Sequence, residues 1–160
     1  MAEVALNPFQ RWIAEAVREA GAQVPAEIDP LGLSFEAEGR VARILPHADE
    51  ALAVIEVVAI SLGDVAESEI ERLAVRLLRL NHEARFEHGW SVVIDEGNRL
   101  NVTTTLSVAD TRGSMLTEIL YDGIDRAASL STIVSGLMSA EESELETEIG
   151  AVPGAGVIRG

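Results

Sequence analysis

Chemistry in this chain would have to come from a small set of residues. Its three histidines are His47, His82 and His88. None stands in an HxH or HExxH spacing, and with no cysteine in the chain nothing completes a zinc site. Ser114 sits in Arg112-Gly113-Ser114-Met115, which is not the glycine-flanked elbow of a serine nucleophile. Asp95-Glu96-Gly97-Asn98 holds oxygen ligands at the wrong intervals for an EF-hand loop. It fits a hairpin turn instead, with positive φ at Gly97 or Asn98. All twelve basic residues are arginine, which excludes a lysine Schiff base, a P-loop lysine and a Ser-Lys dyad. The acids Asp49, Glu50, Asp110 and Asp122 fall at the ends of predicted elements, where charge serves solvation. An enzyme would have to be built on Asp95 or His82, and neither has a supporting constellation. No catalytic residue, metal or cofactor is therefore expected.

The elements that would carry such residues are those of one domain. A chain of 160 residues hides roughly 70% of its unfolded surface and builds a core without disulfides or metals. Only six residues are aromatic, so that core is mainly Leu, Ile, Val and Ala. The absence of cysteine fits a reducing cytoplasm. A net charge of −15 repels phosphate backbones and anionic lipid, which argues against a nucleic-acid partner. It also keeps exposed apolar surface in solution. The start of the chain lacks a basic stretch followed by an apolar run, so no export signal is expected. The longest apolar run, from Ala51 to Leu62, is too short to span a bilayer and contains Glu56, so no membrane insertion is expected.

Asn7-Pro8 opens a first helix, with Asn as N-cap and Pro where a missing N–H costs nothing. Phe9, Ile13, Ala16, Val17 and Ala20 line one face, Trp12 lies beside it, and Gly21 closes it. Alternation over Leu31, Leu33, Phe35 and Ala37 predicts a half-buried strand, Gly39 a turn, and Val41 to Leu45 a second strand. Leu52 to Leu62 is nearly all apolar and predicts a central strand. A second helix follows, capped by Asp64 or Ser68, each with Glu at the capping-box spacing. Ile70, Leu73, Ala74, Leu77 and Asn81 share one face, while Val75, Leu78 and Leu80 make the apolar surface too wide for a single packing partner. Trp90 to Ile94 and Arg99 to Val108 form a hairpin, with Asn101, Thr103, Thr105 and Ser107 on its solvated side. A third helix runs from about Leu116 to Leu137. Residues 141–160 carry five Glu, one Arg and four Gly and read as a disordered tail beyond a single domain of residues 1–140. The order is α-β-β-β-α-β-β-α, an α+β fold with a largely antiparallel five-stranded sheet packed by helices.

From Phe9 to Met138 this pattern resembles the class I type III secretion chaperones, the Tir-chaperone family. The resemblance is carried by Leu77-Leu78-Arg79-Leu80-Asn81, Val92-Val93-Ile94-Asp95, Arg99-Leu100-Asn101-Val102 and Leu116 to Leu130. It implies a cytoplasmic homodimer that binds the N-terminal chaperone-binding segment of a secreted effector and keeps it soluble and secretion-competent. It also implies delivery to a secretion ATPase, without turnover or cofactor. Carried over residue by residue, the client groove falls on Ile13, Leu33, Phe35, Val41, Ile44 and Val54. The dimer contact falls on Leu73, Leu77, Leu80, Trp90 and Val92. The alternative is a YbjN-like protein-binding domain of the same fold outside secretion. Both rest on surfaces: an exposed strand edge accepts an extended peptide, and apolar grooves mark interaction sites.

Overall fold

The computed structural model describes residues 5–25 and 27–154, with the side chains of residues 80, 83–88 and 140–154 outside that description. The elements are α1 (Pro8–Glu19), β1 (Leu33–Ala37), β2 (Arg40–Pro46), β3 (Leu52–Ser61), α2 (Glu67–His88), β4 (Ser91–Ile94), β5 (Arg99–Ser107) and α3 (Gly113–Gly154). This is the predicted order. All strand pairs are antiparallel, in one five-stranded sheet ordered β1-β2-β3-β5-β4. The crossover from β3 to β4 is α2, so β4 arrives at the far edge and the hairpin brings β5 back against β3.

Local chemistry explains the ends. Asn7 accepts from the Gln10 N–H at 2.8 Å and Gln10 Oε1 accepts from the Asn7 N–H at 2.9 Å, a reciprocal cap for α1. The β1–β2 turn is two residues, Glu38 and Gly39, both at positive φ (52° and 74°), the backbone that suits a twisted hairpin. In the β4–β5 turn the positive φ falls on Asn98. The cap of α2 differs from expectation. Its N-cap is Ala66, without a side-chain bond, and neither Asp64 nor Ser68 fills that position. Leu62 is fully buried and Val65 packs on the core, with the Val65 N–H turning back to the Leu62 carbonyl. That anchoring delays the helix to Glu67 and draws Ser68 inside it. The helix also runs beyond Asn81 to His88 and ends at Gly89 in the left-handed region. Leu31 lies before the first strand and is exposed. Helix α3 continues past residue 140 to Gly154.

The core sits on one face of the sheet. Ala53, Ile55, Val57 and Ala59 alternate inward along β3 and join Ala42, Ile44, Val102 and Leu106. Helix α3 lies against β3, β5 and β2, and α1 packs against α3. Two glycines set the closeness of these contacts. A Cβ on Gly113 would stand 2.5 Å from the Ala16 carbonyl oxygen, and one on Gly123 would stand 2.7 Å from the Trp90 ring. Trp12 donates to the Thr111 carbonyl at 3.1 Å, tying α1 to the entry of α3.

Candidate functional site

The residues able to do chemistry are dispersed. His47 Nδ1 accepts from the Asp49 N–H in the β2–β3 turn, His82 is exposed on α2, and His88 lies outside the described side chains. Ser114 is in the first turn of α3. Among the described residues no three His, Asp or Glu gather as a metal site would require. What is organised is surface, and it falls into three regions.

The first region is the second face of the sheet, away from α1 and α3. In an antiparallel pair, opposed residues point to the same side. Arg43 opposes Glu56, Leu45 opposes Val54, and Glu56 opposes Thr103, so these stand on the open face. Val41 and Val93 are exposed there, while Val54 and Val58 are half-buried. A polar bridge crosses these apolar rows. Arg43 is ion-paired with Glu56 and lies 3.7 Å from Asp95. Asp95 accepts from the Gly97 N–H at 2.9 Å, the Arg99 N–H at 3.0 Å, Arg99 Nε at 2.9 Å and Asn101 Nδ2 at 3.1 Å. Partial burial pushes the Asp95 carboxyl up, but the bonds from Arg99 and Asn101 and the Arg99 charge outweigh it. The carboxyl is held below its ordinary value. Asn101 was expected on a solvated side; it is fully buried beneath this bridge, with Oδ1 unpartnered. A bulge between Val58 and Ile60 interrupts the β3 register, and Arg40 donates to the Ala59 carbonyl at 2.7 Å.

The second region is the pair of sheet edges. Among the described residues β1 pairs only with β2, and Ser34 and Glu36 on it are exposed. At the other edge, Asn81 Nδ2 donates to the Val92 carbonyl at 2.7 Å and Asn81 Oδ1 accepts from the Val92 N–H. The third region is the outer side of α2, where Val75 and Leu78 are 60% and 68% exposed. Beside it, Trp90, Val92, Asp122, Arg126 and Ile133 line a groove of about 340 Å³. Asp122 Oδ2 accepts from Trp90 Nε1 and Arg126 Nε, both at 2.9 Å, and the Arg126 guanidinium lies over the indole at 5.9 Å.

The residues expected to form a client groove do not share one surface. Leu33 and Phe35 are half-buried on the helix side of β1. Val41 and Val54 stand on the open face. Ile13 and Ile44 are 0% and 1% exposed and lie inside the core between those surfaces. Of the expected dimer residues, Leu73, Leu77 and Trp90 are buried within the subunit. Val92 is half-buried in the groove under Trp90, and the Leu80 side chain lies outside the described residues. Sequence reasoning missed the exposed pair Val75 and Leu78 as the accessible part of α2. It also missed the bonding roles of Asn81 and Asn101. The signal for Asn101 was an amide flanked by Leu100 and Val102 in an otherwise Thr-bearing row.

No family model matches this sequence, and neither does any curated protein. Solved structures do match. The ExsC–ExsE complex aligns with a TM-score of 0.62 at 14% identity, over 78% of this chain and 91% of that one. The Yersinia pestis type III secretion chaperone SycH, solved with a stable fragment of YscM2, aligns at 0.58 and 20% identity, over 77% and 99%. The HopA1–SchA chaperone–effector complex aligns at 0.60 and 8% identity, over 80% and 99%. At such identities the likeness is one of fold, and the fold of this chain is that of the type III secretion chaperones.

Proposed function

We propose that this chain is a homodimeric cytoplasmic chaperone for a type III secreted effector. It holds a non-globular segment near the effector's N-terminus in extended form and keeps the effector soluble until a secretion ATPase takes it over. No cofactor or turnover is involved. The observation that carries this reading is the fold match over nearly the whole length of neighbours that include chaperone–effector and chaperone–fragment complexes. The surfaces are compatible with it. A sheet covered by helices on one face leaves apolar rows on the other and an unpaired edge at β1, and both suit an extended peptide. The client segment in this reading lies along the β1 edge, with Leu33 and Phe35 on its helix side and Val41 and Val54 on its open side, while Ile13 and Ile44 support that edge from the core. The dimer contact centres on Val75 and Leu78 of α2, with Leu73 and Leu77 holding the helix in place.

Co-expression with secreted proteins encoded beside this chain tests the reading. The expected result is one protein that co-purifies with two copies of the chain, its N-terminal region protected from protease only in the complex. Phe35→Asp should reduce that capture at least about tenfold, the effect of burying one charge in an apolar contact, with mass by light scattering unchanged. Failure to retain any such protein, or retention through a folded domain alone, overturns the proposal.

A further inference from the structure

We propose that Asn81 is an edge cap. Its side-chain amide occupies β4 as a neighbouring strand would, so that the sheet can be extended only from β1. Val92 opposes Val102 in the β4–β5 ladder. In an antiparallel ladder, every second residue turns both its N–H and its C=O away from its partner strand. Both polar groups of Val92 are bonded to Asn81, so Val92 is such an outward residue. The amide supplies one donor and one acceptor to a single residue, the pairing a strand backbone would supply. β4 is four residues long, and Val92 is interior to it. With that residue occupied, too little free backbone remains at this edge to start a ladder. β1 contrasts with it, since among the described residues no side chain bonds to its backbone. Unpaired strand edges recruit other strands, and natural sheets block the edges they do not use. Here the block is a helix side chain placed by the α2 crossover. This proposal stands whether or not the partner is a secreted effector.

Amide hydrogen exchange and light scattering on the full chain test it. In the wild-type protein the Val92 amide should be protected like its neighbours in the ladder. Asn81→Ala should lose about tenfold protection at Val92, the worth of one hydrogen bond, and leave Leu100 and Val102 protected. The same variant should self-associate with rising concentration beyond the wild-type mass. Val93→Lys puts a charge on the exposed side of the same edge, and in the Asn81→Ala background it should restore the wild-type mass. A Val92 amide that exchanges freely in the wild-type protein overturns the proposal, and this measurement needs no variant. So does an Asn81→Ala protein with unchanged mass, or association that Val93→Lys fails to suppress.

Discussion

Asp95 shows how much a single side chain organises on the open face. Its carboxylate receives four hydrogen bonds, two from backbone N–H groups of its own turn and two from side chains of β5. Because folding lowers its pKa, its contribution to stability is fully present above the ordinary value of 3.8 and is lost as pH falls through the folded value. Urea unfolding should therefore show Asp95→Asn destabilised by about 1.5–3 kcal/mol at pH 7. The gap to wild type should narrow as pH is taken below 4, about the ordinary carboxylate range; a gap independent of pH would remove the charge from the account. Glu38 makes the opposite case. It takes a left-handed backbone at φ 52°, where a side chain costs roughly 1–2 kcal/mol unless it is Asn, Asp or Gly. Glu38→Asn should raise the unfolding free energy by about 0.5–1 kcal/mol, read from the urea midpoint at unchanged slope.

Elements were legible where one face of a regular pattern meets the core. The alternation in β1 and the Asn-Pro start of α1 were readable because each reflects a local rule the fold obeys, whereas the β5 alternation broke at the buried Asn101. The start of α2 was not, because burial of Leu62 and Val65 overrode two good capping boxes. Nor could sequence separate Leu77 from Leu78. They are adjacent on a helix with a broad apolar stripe, and only the packing against β4 and the core turns one inward and the other out. The candidate site was less legible than the fold, since a groove depends on which face of each strand stays open. Those two leucines give a test of the dimer. Leu78→Glu should leave the unfolding free energy within about 0.5 kcal/mol, as for other exposed positions, and halve the mass seen by light scattering. Leu77→Glu, at 4% exposure, should instead destabilise the subunit by several kcal/mol, about the cost of burying an unpaired charge. An unchanged mass for Leu78→Glu would move the interface elsewhere.

At the scale of the whole molecule, an acidic chain of net charge −15 packs α3 on one sheet face and α1 on α3, while among the described residues the rows through Val41, Val54 and Val93 face away from them. Among the described residues no helix is long and apolar enough to cross a membrane. Among the described side chains, Met138 is the last in α3 that packs against the core. We expect a chain ending at residue 140 to melt within about 2 °C of the full protein, a shift worth about 0.5–1 kcal/mol at this size; a larger drop would mean the segment packs. The two tryptophans sit at the entry of α3 and along the first part of its docked length. Trp12 is bonded to Thr111 just before that helix, and Trp90 is bonded to Asp122 within it, with the Arg126 guanidinium over its ring. The molecule thus carries its own optical gauges. With Trp12→Phe, emission reports the groove beside α2; with Trp90→Phe, it reports the α1 side. A partner's landing place can then be read from which indole changes colour, without any label.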